Sequence, residues 1–195
     1  MVVAFNKPYG VLSQFRQPTE AGKPVTTALR TLSEFCFPKG VYPIGRLDAD
    51  SEGLLLLSDE PELTARLLDP EQGHARVYWA QVENIPRQAD LDKLKRGIML
   101  QGRRTLPAKA VILAPQPDVP ERIPPIRVRK NIPTCWIELE LTEGKNRQVR
   151  RMTAAIGFPT LRLIRVRIGN YTMEGLDPGK WEMLDPNERR QVVSG

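Results

Sequence analysis

The sequence predicts an α+β fold built on a mixed, largely antiparallel central sheet flanked by short helices. Three observations carry this reading. Strand-like segments outnumber helical ones, short turns containing Gly or Pro join many of them, and no internal repeat is visible.

Residues 2–5 read as a strand ended by the turn residues Lys7-Pro8-Tyr9-Gly10, and residues 11–15 are expected to pair back on it. Residues 26–35 have helical spacing through Ala28, Leu29, Leu32 and Phe35. Pro43 and Gly45 break the chain before Gly53-Leu54-Leu55-Leu56-Leu57, a buried strand with turn residues on either side. Pro61 suits a first helical position and opens a short helix through Leu63, Leu67 and Leu68. Residues 76–83 alternate as a strand, with Tyr78, Ala80 and Val82 on one face and Val77, Trp79 and Gln81 on the other. A helix over 87–97 through Leu91 and Leu94 follows, then a strand at 109–114.

Pro115, Pro117, Pro120, Pro124, Pro125 and Pro133 block regular structure across 115–133. That stretch reads as a linker or as an ordered loop, basic through Arg122, Arg127, Arg129 and Lys130. Residues 135–142 place Ile137, Leu139 and Leu141 inward, with Glu138 and Glu140 outward. Asn146 is placed to cap a helix running to Ile156 on a stripe of Val149, Met152 and Ile156, which Gly157 and Pro159 end. Residues 161–168 form a strand with Leu163, Arg165 and Arg167 on one face and Ile164, Val166 and Ile168 on the other, and 181–184 closes the sheet.

The 195 residues carry 29 Lys+Arg against 23 Asp+Glu, and the excess is unevenly spread. Residues 1–75 hold 7 basic and 10 acidic residues, whereas 122–167 alone hold 11 basic residues against Glu138, Glu140 and Glu143. Most of those cations are arginines on ordered elements, which suits phosphate recognition better than solubilisation. A membrane surface fits less well, because no amphipathic helix pairs this charge with a bulky apolar face. Cys36 and Cys135 lie far apart and His74 is the single histidine, so zinc knuckles, disulfide frameworks and multi-histidine metal sites are not expected. The longest aliphatic run, Leu54 to Leu57, is too short to span a bilayer, and the start lacks the features of a signal peptide. A soluble, cytoplasmic protein is expected.

The densest acidic site is Gly45-Arg46-Leu47-Asp48-Ala49-Asp50-Ser51-Glu52-Gly53. Asp48, Asp50, Glu52, Gly53 and Asp59 fall at calcium-loop positions. However, Pro43 and Gly45 stand where an entering helix belongs, a strand leaves, and Asp59 is shorter than the bidentate glutamate required. A plain acidic turn is the simpler alternative.

Gly45-Arg46-Leu47-Asp48 followed by Ser51-Glu52-Gly53-Leu54-Leu55-Leu56-Leu57 resembles the catalytic loop of RNA pseudouridine synthases, in the branch that acts on the small and large ribosomal RNAs. Arg76-Val77-Tyr78-Trp79-Ala80-Gln81-Val82 resembles the strand that carries the family's active-site tyrosine. Glu143-Gly144-Lys145-Asn146-Arg147-Gln148-Val149-Arg150-Arg151-Met152 resembles its basic helix entrance, and Leu161-Arg162-Leu163-Ile164-Arg165-Val166-Arg167-Ile168-Gly169 its last motif. The four motifs come in the family's order, and the similarity runs from Lys7 to about Asp185. Arg147, where many relatives have His, together with Pro124-Pro125-Ile126-Arg127 and residues 157–163, resembles the E-type large-subunit subgroup.

The resemblance implies two lobes around a catalytic cleft, with residues 1–195 as one catalytic domain and no N-terminal S4-like RNA-binding module. It implies isomerisation of a uridine in large-subunit ribosomal RNA by a monomer, without cofactor or metal. The N1–C1′ bond breaks and the base rejoins through C5. Asp48 would act as a nucleophile at C1′ or as a base at C2′. Arg150 would pair with Asp48, or else contact phosphate. Tyr78 would stack on the uracil and relay the C5 proton, and Leu163 would wall the base's other side. Arg46 would fill the space left by a flipped uridine, hold a phosphate, or pair with Asp50. Arg127, Arg129, Lys145, Arg147, Arg151, Arg165 and Arg167 would bind the backbone of looped or single-stranded RNA. The rival readings are a non-catalytic rRNA-binding or ribosome-assembly factor of the same fold, and a metal-dependent nuclease using Asp48, Asp50 and Glu52.

Overall fold

In the computed structural model, which describes residues 1–18, 29–127 and 129–194, the apolar runs become strands of one large sheet. In chain order the elements are β1 (Val2–Lys7), β2 (Val11–Leu12), β3 (Arg30–Thr31), β4 (Tyr42–Pro43), β5 (Glu52–Ser58), α1 (Pro61–Leu68), β6 (Arg76–Glu83), α2 (Gln88–Lys95), β7 (Met99–Leu100) and β8 (Arg103–Arg104). Then follow β9 (Lys109–Ile112), β10 (Thr134–Leu141), α3 (Gln148–Ala155), β11 (Thr160–Ile168), β12 (Tyr171–Thr172), β13 (Trp181–Met183) and α4 (Pro186–Val193). Among the described residues the sheet has nine strands on a path β13-β1-β5-β11-β6-β10-β9, with β4 on β5 and β12 on β11. Within this sheet, among the described residues, only β5 and β11 pair in parallel. No helix among the described residues is long and apolar enough to cross a membrane.

The core divides into two lobes at that parallel junction. On one side, Ala80, Val82, Leu91, Leu94, Ile137 and Leu139 bury α2 and α3 against β6 and β10. On the other, the continuous apolar runs of β1 and β5 are buried on both faces, against α4 and Tyr171 on one side and Leu32, Val41 and Leu47 on the other. Gly53 lies where the lobes meet. Its φ is +98°, and a Cβ there would stand 2.3 Å from the Arg165 carbonyl oxygen and 2.8 Å from its nitrogen. Only glycine lets β5 approach β11 this closely.

Three expectations change. Residues 11–15 do not pair with β1, because β5 and β13 already take both of its edges. Val11–Leu12 pairs in parallel with β3 instead. Of the helix expected at 26–35, residues 26–28 lie outside the described residues, and the remainder is β3 followed by one 3-10 turn over Leu32–Phe35. The Glu34 carboxylate accepts the Thr31 amide at 3.2 Å, so helical geometry starts only after Thr31. The α3 helix begins at Gln148 with Arg147, not Asn146, at its cap, and Arg147 has a left-handed backbone (φ 51°). The α4 helix was not anticipated, although Asp185-Pro186-Asn187-Glu188 is a capping signal. The Asp185 carboxylate accepts the amides of Asn187 and Glu188 at 2.7 and 2.9 Å.

The register of β11 also departs from simple alternation. Leu163, Arg165 and Ile168 stand opposite Ala80, Tyr78 and Arg76, while Ile164 and Arg167 stand opposite Trp79 and Val77. Val166 is an extra, unpaired residue between Arg165 and Arg167. This bulge moves Arg167 off the face of Leu163 and Arg165 and brings Ile168 onto it.

Lys7, at the end of β1, is fully buried, and its Nζ donates to the carbonyls of Val11 (2.7 Å) and Pro8 (3.2 Å). Burial pulls its pKa from 10.5 down to about 8, against the opposing pull of Glu52, Asp50 and Asp48. Between those values the unfolded chain holds more protons at this site than the native one, so the Lys7 contribution to stability rises with pH. The cost of the charged form is fully present below about pH 8 and is gone above pH 10.5. Urea titrations across that window are expected to show wild type gaining up to about 3 kcal/mol on Lys7→Met. A pH-independent difference would contradict the assignment.

Candidate active site

Asp48 lies in the loop between β4 and β5. The Ser51 amide donates to its carbonyl at 3.0 Å, closing a tight turn that leaves the carboxylate 39% exposed. It faces a cleft of about 460 Å³ between the lobes, which Arg46, Tyr78, Arg147, Leu163 and Arg165 also line. That volume suits a small organic ligand or a single nucleotide unit. Tyr78 stands on β6 between Leu139 of β10 and Arg165 of β11, half-buried and packed against the cores of both lobes. Leu163 is buried in the neighbouring register position, opposite Ala80.

The guanidiniums are arranged differently from expectation. Arg150 pairs with Asp50, not Asp48. Its Nε lies 3.4 Å from the Asp50 carboxylate, and its Nη2 and Nη1 donate to the carbonyls of Asp50 (2.6 Å) and Thr160 (3.3 Å). The partner of Asp48 is Arg147, whose Nη1 is 3.5 Å from Oδ2. Arg147 also grips Asp50 with two bonds of 3.0 and 2.8 Å. The left-handed backbone at the α3 cap sends the Arg147 side chain across the loop, whereas Arg150, 12% exposed, reaches in behind it. Burial works to raise the Asp50 pKa, but the Arg147 hydrogen bonds and the charges of Arg150 and Arg147 hold it below the usual carboxylate range. Burial in turn lowers the Arg150 pKa, which Asp50 opposes.

Arg165 was expected to meet phosphate, but it is buried. Its Nε donates to the Leu54 carbonyl at 2.7 Å, and its Nη2 has no protein partner. Arg167 donates to Glu140 (2.6 Å) and to the Gly169 carbonyl (2.7 Å), on the face away from Tyr78. Arg129 contacts Glu83 at 3.3 Å, Lys145 contacts Glu143 at 2.8 Å, and Arg151 bonds Asn146 and Gln101. Arg46 and Arg127 are exposed, and Arg46 does not take Asp50. Asp48, Asp50 and Glu52 do not converge, because Glu52 turns away to a buried pair with Arg162. No cluster of three metal-ligating side chains occurs among the described residues. Two features went unanticipated in the sequence: Asp50, beside the cleft, as the common anchor of two arginines, and Arg76 in the cleft wall. Two carboxylates spaced i, i+2 in a tight turn are the legible cue for the first.

The two-lobed, mostly antiparallel sheet is the fold of known pseudouridylate synthases. A solved pseudouridylate synthase superimposes with a TM-score of 0.77 at 25% identity, over 98% of this chain and 73% of that one. The family described as RNA pseudouridylate synthase matches residues 1–155. The ribosomal large subunit pseudouridine synthase E of Xanthomonas axonopodis pv. citri is 51% identical over 178 residues, covering 91% of this chain and 90% of the relative. Ribosomal large subunit pseudouridine synthase B of Bacillus subtilis is 37% identical over 186 residues, covering 95% and 68%. The chain belongs to the RNA pseudouridylate synthase family, a family of isomerases.

Proposed function

We propose that the protein isomerises a uridine of large-subunit ribosomal RNA to pseudouridine, with Asp48 as the essential catalytic group and no cofactor. The observation that carries this is the convergence of Asp48, Tyr78 and Leu163 on one cleft of nucleotide size. The reaction exchanges a C1′–N1 bond for a C1′–C5 bond without net redox change or an imported group. An ionised carboxylate at the ribose face and a flat wall for the base meet its needs.

In this reading the uridine swings out of the RNA and lies against Tyr78 and Leu163. Asp48 attacks C1′ or removes the C2′ proton, and the Tyr78 hydroxyl relays the C5 proton. Arg147 supplies the cation beside Asp48, while Arg150 orders the loop through Asp50. Arg46, Lys145, Arg151, Arg127 and Arg129 contact the RNA backbone, with Lys145 and Arg129 exchanging Glu143 and Glu83 for phosphate. Arg165 and Arg167 support the strands instead.

Purified protein incubated with large-subunit rRNA, naked or in precursor particles, is expected to create pseudouridine at a defined position, read by carbodiimide-dependent reverse-transcription stops. The same position is expected to lose its pseudouridine in cells lacking the gene. Failure on both substrates, with rRNA from the deletion strain unchanged, would reject the assignment.

A further inference from the structure

Asp48 is held by its neighbours in the chain. The Ser13 hydroxyl donates to the Leu47 carbonyl at 2.7 Å and accepts the amide of the same residue at 3.0 Å, both bonds buried. On the other side of Asp48, the Gly10 amide donates to the Ala49 carbonyl at 2.7 Å. Both donors come from the segment after β1, which buried Lys7 fixes through the Pro8 and Val11 carbonyls. The Leu47 side chain packs beneath, with Val11, Leu32 and Leu55.

We propose that Ser13 is a positioning residue for the isomerisation: by clamping both backbone groups of Leu47, it sets where the Asp48 carboxylate stands in the cleft. This rests on the catalytic role given to Asp48 above. A hydroxyl oxygen donates and accepts strong hydrogen bonds at once, so alanine loses both bonds and strands two buried polar groups. The loop then relaxes to satisfy them, and Asp48 moves with it. Ser13 itself is 5% exposed and buried in protein, so it does not touch the substrate. Its loss is therefore expected in the chemical step and not in RNA binding.

Ser58 offers a matched comparison at the far end of β5. It is 3% exposed, donates to the Met1 carbonyl at 2.9 Å and accepts the Glu60 amide at 3.0 Å. A merely structural role would make Ser13→Ala and Ser58→Ala behave alike. The expected result is that Ser13→Ala lowers the single-turnover rate on rRNA about 10- to 100-fold with an unchanged RNA Kd. Ser58→Ala is expected to keep the wild-type rate, and Ser13→Thr, which retains the hydroxyl, to recover most of the loss. Should Ser13→Ala not fold, Ser13→Cys carries the same test, since the somewhat larger thiol fills the site but bonds weakly. A wild-type rate in folded Ser13→Ala or Ser13→Cys, a parallel loss in Ser58→Ala, or a loss confined to Kd would overturn the proposal. Inactivity of the wild-type protein would instead overturn the reading on which it rests.

Discussion

Asp48→Asn is expected to abolish pseudouridine formation while leaving RNA affinity within about twofold and the fold intact. Asparagine has the size of aspartate but neither attacks C1′ nor accepts a proton from C2′, so either role is lost. A positioned general base contributes about 10²–10⁴ in rate and a nucleophile more, so residual turnover is expected at least ~10²-fold down. The surroundings survive the change. Arg147 keeps its two bonds to Asp50, and Arg150 keeps the Asp50 and Thr160 carbonyls, so removing one charge at a 39% exposed position leaves no stranded cation. The measurement pairs a single-turnover isomerisation assay with filter binding of the same RNA. Activity retained in Asp48→Asn would transfer the chemistry to another group. Joint loss of activity and binding would make Asp48 a docking residue.

The second large effect concerns stability. Arg162 and Glu52 form a bidentate pair, each bond 2.8 Å, with both residues less than a tenth exposed, and the Arg162 Nη1 also donates to the Pro120 carbonyl at 2.7 Å. Arg162→Ala leaves a buried, unpaired carboxylate and is expected to cost about 3–5 kcal/mol in urea unfolding. The double variant Arg162→Met, Glu52→Met removes both charges together and is expected to regain most of that loss. The Pro120 carbonyl loses its donor in either variant, so limited proteolysis between residues 115 and 125 should accelerate in both. Equal stability of the single and double variants would show that the pair is not electrostatically coupled.

Much of this molecule is legible in its sequence. The strand over Arg76–Glu83 is bounded as its alternation predicts, and the Leu54–Leu57 run is a strand buried on both sides. Local pattern suffices there because each signal is confined to one segment. The partners of the arginines are a different matter. The RNA-facing set includes Arg165 and Arg167, and charge counting places Arg162 in the same basic stretch, yet the three bond within the protein, to the Leu54 carbonyl, Glu140 and Glu52 respectively. Glu52 lies 110 positions from Arg162, and no periodicity links them. Likewise the choice of Arg147 over Arg150 for Asp48 depends on one left-handed residue at the α3 cap, a conformation that arginine seldom adopts and that sequence does not announce. Of the groups the resemblance names, Asp48, Tyr78 and Leu163 line the cleft, while tertiary geometry gives Arg150 to Asp50.

The unpaired Val166 makes β11 a strand in which the number of residues matters as much as their kind. Deleting that one aliphatic residue would keep Arg167 opposite Val77 and Ile168 opposite Arg76 in a regular ladder, whereas straightening the strand with Val166 kept in register would rotate Arg167 toward Tyr78 and turn Ile168 outward. Conversely, transplanting the Leu163–Gly169 segment into a straight host strand would carry every side chain of the motif and present the wrong ones. Variants of this enzyme shortened by this one residue are thus expected to keep the facing of Arg167 and Ile168, and a change that takes Val166 into the ladder is the more severe lesion.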